Sequence, residues 1–316
     1  MKDLPLDPEM REVLRLSAGL PGFTDIVART PLERVPALYK AGRAHWNGGA
    51  PPVEAVRDLQ MAFDGRELRL RLYHPHPWLR LPVIVYLHGG GYIMGDLDTH
   101  DGIMRRLALA ADAAVVGLDY TLAPARRFPV QIEEATAAVA FLAGEADRLN
   151  IDPGALGLAG DSAGAALSVG TCYELLALGQ PQPAALLLYY GAYGLTDSPS
   201  RRAFAGPDSG LPPEDLDLYR RCYIGDDWQR RRDPRLDMLS GPLERLPPCF
   251  ILSADLDPLR DDSAALAELL GQRDIRAEWQ NVEGVLHGFL HYGRVMRKSR
   301  QAIQAGADFF NRVLER

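Results

Sequence analysis

Leu156-Gly157-Leu158-Ala159-Gly160-Asp161-Ser162-Ala163-Gly164 is the stretch from which the rest of the chain is best understood. A short apolar run ends at a serine that has one glycine two places before it and another two places after. Ala165, Ala166, Leu167 and Val169 then follow with helical character. The order is strand, sharp turn, helix, with the G-x-S-x-G spacing that a nucleophile elbow requires. The requirement is steric. A serine on a tight, strained turn exposes its hydroxyl, and side chains at positions 160 or 164 would crowd that turn. Taken alone, the pentapeptide fits an ordinary turn and helix start as well as it fits catalysis.

Outward from this stretch, the chain alternates between strand and helix. Val83-Ile84-Val85-Tyr86-Leu87, Ala113–Leu118, Ala184–Tyr190 and Cys249–Ser253 are continuous apolar runs of the kind buried on both faces of a parallel sheet. Helical spacing follows near 101–111, from 129 to about 150, over 163–178, over 261–271 and over 299–314, with a further strand at 276–282. Val53–Tyr73 alternates around Asp64-Gly65 and predicts a β-hairpin. This pattern predicts one α/β domain spanning 1–316, with a mostly parallel sheet and helices on both faces. Two regions depart from it. Residues 1–50 are helical in pieces, including a helix from Pro31 through Trp46. Between about 195 and 240 the periodicity fails and Gly, Pro and charge accumulate. Both are expected to lie over the active edge of the sheet as a cap that shapes a pocket and excludes water.

Composition narrows the class of partner. Of 316 residues, 47% are hydrophobic and 24% charged, which suits a soluble chain with a substantial core. The net charge of −7 argues against nucleic acid. Cys172, Cys222 and Cys249 are scattered, so neither a disulfide framework nor a zinc site is indicated. There is no signal-like N-terminal run and no stretch near the roughly 18 apolar residues of a membrane span. The expected setting is the cytoplasm, without a membrane.

A serine nucleophile needs a base, an acid to orient it and donors for the developing oxyanion. His88-Gly89-Gly90-Gly91 follows the strand at 83–87, and its glycines let successive backbone N–H groups converge. A phosphate cradle is the alternative, but the Lys-Ser/Thr of a P-loop is missing. Seven histidines compete for the role of base. His287, in a loop after the last predicted strand, is favoured over His291, which falls in a following helix and is expected to pack or face solvent. His88 is expected to pin the glycine loop, and His74 and His76, among prolines, to be surface loop residues. Asp257, held extended before Pro258, is the candidate acid, and Asp255 remains its alternative. Asp261 and Asp262 suit the first turn of a helix.

These segments together resemble the hormone-sensitive-lipase branch of the α/β-hydrolases, in its acetyl-esterase type. The resemblance rests on HGGGYIMGDLDTHD at 88–101, LDYTLAPARRFP at 118–129, GDSAGA at 160–165, DPLRDD at 257–262 and HGFLHY at 287–292. It covers the chain from about residue 40 onward. Ala165 stands where the wider branch carries glycine, and Ala125 where it tends to carry glutamate. The resemblance implies an α/β-hydrolase fold with a helical cap and a Ser162–Asp257–His287 triad. It implies oxyanion donors at the N–H groups of Gly89, Gly90 and Ala163, with His88, Gly91, Gly160, Asp161 and Gly164 supporting the motifs. It further implies a serine esterase for short acyl esters of small molecules, with no metal or organic cofactor, acting as a monomer or homodimer. An amidase, a longer-chain esterase or a regulatory protein-binding role on the same scaffold are the alternatives.

Overall fold

The computed structural model describes residues 4–21, 27–206 and 210–315. At Asp64-Gly65 both residues take positive φ (48° and 70°), the backbone of a tight hairpin turn, and the chain folds back on itself as expected. Strand β1 (Ala55–Phe63) thereby pairs antiparallel with β2 (Arg66–His74), with Phe63 opposite Arg66. The remaining strands are β3 (Leu81–Leu87), β4 (Ala114–Leu118), β5 (Ile151–Asp161), β6 (Ala185–Tyr189), β7 (Cys249–Leu256) and β8 (Ala277–Leu286). They form one sheet in the order β1-β2-β4-β3-β5-β6-β7-β8. From β4 to β8 every pairing is parallel, whereas β2 meets β4 antiparallel.

Strand β3 explains why both faces need helices. Its side chains alternate by pleat, so Val83, Val85 and Leu87 enter one apolar cluster while Ile84 and Tyr86 enter the other. On the first face, α4 (Val130–Gly144), α6 (Ala163–Ala177) and α9 (Arg260–Gly271) contribute Ile132, Val169 and Leu266. On the second, α3 (Asp101–Ala111) and α10 (Arg297–Val313) contribute Leu107, Ile303 and Phe310. Each such burial contributes about 1.5–3 kcal/mol before entropy is counted. Among the described residues no helix is long and apolar enough to cross a membrane.

Several expectations need adjustment. The helix expected to run from 129 to 150 stops at Gly144, where Glu145 leaves helical geometry (φ −100°, ψ 5°), and resumes as α5 (Ala146–Leu149). Strand β5 begins at Ile151, and the irregularity in its pairing falls between Pro82 and Val83. Strand β8 extends four residues past 282, which sets His287 directly after its end. Among the described residues, the aperiodic region 195–240 contains two α-helices, α7 (Pro199–Phe204) and α8 (Pro213–Ile224), followed by short 3₁₀ turns. The buried face of α8, Tyr219, Cys222, Tyr223 and Ile224, is interrupted in sequence by Arg220 and Arg221. At the N-terminal side lie α1 (Pro8–Ser17) and α2 (Val35–Asn47). Asp215 of α8 ties the two regions together by accepting from the N–H groups of Val27 (3.2 Å) and Ala28 (2.6 Å). His74 is not a surface loop residue. It ends β2 fully buried, with Nε2 donating to the Asn150 carbonyl at 3.1 Å.

Candidate active site

The turn between β5 and α6 holds Ser162 at φ 53° and ψ −120°, a conformation an L-residue adopts only when its surroundings enforce it. Its flanking glycines are obligatory. A Cβ at Gly160 would lie 2.4 Å from the Gly164 backbone, and one at Gly164 would lie 1.8 Å from the Leu87 carbonyl oxygen. The Ser162 N–H donates to the Tyr189 carbonyl at 2.8 Å, which fixes the elbow to β6.

Three loops at the carboxyl ends of the parallel strands bring the remaining groups together. His287 Nε2 lies 2.9 Å from Ser162 Oγ, and His287 Nδ1 lies 2.7 Å from Asp257 Oδ2. A carboxylate only accepts, so Nδ1 carries the proton and Nε2 is left to accept from the serine hydroxyl. Asp257 is fully buried, and its Oδ1 accepts from the Leu259 N–H at 2.8 Å. Tyr190 packs edge-on against the imidazole, with ring centroids 5.0 Å apart. The competing residues lie elsewhere. Asp255 accepts from Asn281 Nδ2 and from the Gly284 N–H, bracing β8. His291 sits in a 3₁₀ turn (Phe289–Tyr292), buried, with Nε2 3.2 Å from the Tyr39 hydroxyl.

The glycine loop after β3 departs from expectation by one residue. The N–H of Gly89 donates to Asp161 Oδ1 at 3.0 Å, so it is committed to the protein and has no hydrogen left for a substrate oxygen. The N–H groups of Gly90 and Gly91 meet no acceptor among the described residues, and that of Ala163, the first residue of α6, has no intrahelical partner. Gly90 and Gly91 both have positive φ (118° and 59°), and a Cβ on Gly91 would strike the ring of Tyr219 at 2.5 Å. Helix α8 thus presses on the loop at a point only glycine tolerates.

Behind the loop lies a buried polar cluster that the sequence did not reveal. Asp161 Oδ1 also accepts from the Tyr86 hydroxyl at 2.8 Å and faces His100 Nε2 at 3.3 Å. His88 Nδ1 donates to the Gly89 carbonyl at 2.8 Å, its ring stacks on Tyr120 at 4.1 Å, and the Tyr120 hydroxyl donates to the His88 carbonyl. His88 therefore pins the loop. Ring nitrogens of His100 and His291 and an Asp161 oxygen approach one another within 4.8 Å. Asp161 and His291 are nonetheless already engaged, with Tyr86, Gly89 and Tyr39. His88, His100, Asp161 and His291 all stand in the motifs of the sequence, but nothing in those motifs discloses that the four side chains converge.

Burial pushes the His88 imidazole down to about 4, from an ordinary value of 6.5, with His100 acting in the same direction. The unfolded chain accordingly takes up this proton first. Between about pH 6.5 and 4 it binds more protons than the native state, so stability rises with pH across that window and falls on acidification. A one-proton difference is worth about 1.4 kcal/mol per pH unit. His88→Asn is expected to flatten the slope of unfolding free energy against pH between 4 and 6.5. An unchanged slope in urea titrations would show that His88 is not the group involved.

The pattern defining the alpha/beta hydrolase fold family matches residues 84–291. An acetyl esterase of Salmonella paratyphi A is 39% identical over 310 residues, covering 96% of this chain and 94% of that protein. The solved esterase of Pyrobaculum calidifontis superposes with a TM-score of 0.90 at 32% identity, covering 98% of this chain and 99% of that one. An ester-hydrolase from the metagenome of Lake Arreo gives a TM-score of 0.90 at 31% identity, covering 98% and 100%.

Proposed function

Since the chain belongs to the alpha/beta hydrolase fold family, in its hormone-sensitive-lipase-like branch, and is a carboxylic ester hydrolase, we propose that it cleaves short-chain acyl esters of the acetyl type through a Ser162 acyl-enzyme. The observation that carries this reading is the hydrogen-bonded chain Ser162–His287–Asp257. His287 Nε2 takes the hydroxyl proton as Ser162 Oγ bonds to the ester carbonyl carbon, and Asp257 stabilises the resulting imidazolium. The negative oxygen is received by the free N–H groups of Gly90, Gly91 and Ala163, each such donor supporting the transition state by about 2.7–4 kcal/mol. As the carbon–oxygen bond to the alcohol breaks, His287 returns the proton to the leaving oxygen. Water then repeats the attack, giving its proton to His287, and releases the carboxylic acid and free Ser162.

Short acyl preference draws support from the acetyl-esterase relatives, and a cytoplasmic setting from three buried cysteines with no disulfide. A chain-length series of p-nitrophenyl esters tests the first. The expected kcat/KM is highest for acetate to butyrate and declines beyond, and a maximum at octanoate or longer would transfer the assignment to long-chain esters. Labelling of Ser162 by a fluorophosphonate probe separates an enzyme from a binding protein on the same scaffold, because only an activated serine reacts.

A further inference from the structure

Several partly buried arginines in this protein are held by carboxylates. Arg66 pairs with Glu134 at 2.8 Å, Arg201 with Asp262 at 2.9 Å and Arg235 with Glu174 at 2.7 Å. Arg43, on α2, is half-buried and differs from them. No carboxylate among the described residues lies within ion-pair distance of it. Its hydrogen bond is a long one, 3.4 Å from Nη1 to the neutral hydroxyl of Tyr292. Its guanidinium is instead carried over the face of Tyr39, 4.7 Å from the ring centroid, with Tyr292 at 5.8 Å on another side. Aromatic faces hold a cation in place without consuming its N–H donors. The neighbouring His291 adds no second positive charge, since burial and the Arg43 charge push that imidazole well below its ordinary range.

The guanidinium also stands beside the catalytic machinery. A Cβ built on Gly288, the residue after His287, would lie in van der Waals contact with Arg43 Nη2 at 3.9 Å and His291 Cδ2 at 4.0 Å, so the guanidinium reaches the backbone that carries His287. His287 is the group that protonates the leaving oxygen, which places the alcohol half of the ester on the histidine's side of the site.

We propose that Arg43 is an anion-recognising subsite for the alcohol half of the substrate, and that the preferred esters are short-chain acyl esters of hydroxy acids, whose carboxylate the guanidinium receives. This rests on the esterase reading above and narrows it. A planar guanidinium presents two parallel N–H donors that match a carboxylate, and such charge-assisted bonds are about twice as strong as neutral ones.

The test compares the acetate esters of 4-hydroxybenzoate and 4-hydroxybenzamide, which share acyl group and shape but differ in charge. Taking each variant's kcat/KM relative to wild type cancels the difference in leaving-group reactivity. Arg43→Gln is expected to lose about tenfold more kcat/KM on the carboxylate ester than on the carboxamide, chiefly through KM. Arg43→Lys, which keeps the charge but not the fork, is expected to fall between. Equal losses on the two esters would overturn the subsite and leave Arg43 as a brace for α2. Failure of the wild-type protein to cleave either ester would instead overturn the esterase reading itself.

Discussion

Ser162→Ala is expected to lower kcat on an acetyl ester by roughly a millionfold, the scale seen when a nucleophile that acts as a unit with its base is removed. The substitution deletes one atom, the Oγ that lies 2.9 Å from His287 Nε2, and leaves the elbow's other constraints in place. Alanine at φ 53° is no more strained than serine there, and the lost hydrogen bond is to a histidine with 15% of its side chain exposed. Stability should therefore change by no more than about 1 kcal/mol. His287→Ala should cost nearly as much activity as Ser162→Ala, and the double variant little more, because neither group functions without the other. A folded Ser162→Ala protein within tenfold of wild-type turnover would refute the assignment, and labelling by a fluorophosphonate would refute it independently.

Asp161→Ala is expected to be the most damaging change outside the triad, and to damage stability and turnover together. Burial pushes this carboxyl's pKa up, but His100, His291 and the Tyr86 hydroxyl outweigh it and hold it well below the usual carboxylate range. It is ionised throughout the working pH range, and this contribution to stability is lost only as pH falls below the ordinary carboxylate value. Alanine would strand the buried Gly89 N–H and Tyr86 hydroxyl, at about 1–3 kcal/mol each. Adding the bared His100 contact brings the expected loss to about 3–5 kcal/mol. With Gly89 released, the N–H groups of Gly90 and Gly91 lose their fixed direction and kcat should fall about a hundredfold, as for removal of an oxyanion donor. Asp161→Asn keeps an acceptor without the charge and should fall between wild type and alanine in both measures. Urea unfolding and turnover of a neutral acetate ester report the two effects. An alanine variant that retains both would show that the loop is held by something other than this carboxylate.

The strands and the elbow were legible because their chemistry is local. Buried parallel strands are apolar throughout, and a strained serine needs glycine at Gly160 and Gly164 whatever surrounds it. Asp257 and His287 were legible because each closes a strand pattern at the same edge of the sheet. Gly89 was read as an oxyanion donor because three consecutive glycines do not disclose which N–H is already bound. That is decided by the Asp161 side chain, reaching from β5 across to the loop after β3. The helix α8 escaped detection because its arginines break the apolar spacing, and the far end of β8 because Gly284 and the exposed Glu283 interrupt the pattern before the buried Val285 and Leu286. His74 was misread because flanking prolines suggest a loop, whereas burial at a strand end depends on what lies above it.

The strand order carries one more consequence, for the life of the molecule before it is finished. From β3 outward, β5, β6, β7 and β8 stand side by side in the order in which a ribosome makes them. Each can dock on the edge its predecessor has just left open. A nascent chain extended through Asp257 possesses nucleophile, acid and glycine loop, yet its base comes only after β8 has joined the sheet. Ester cleavage by the proposed triad therefore requires a chain made at least through β8 and His287.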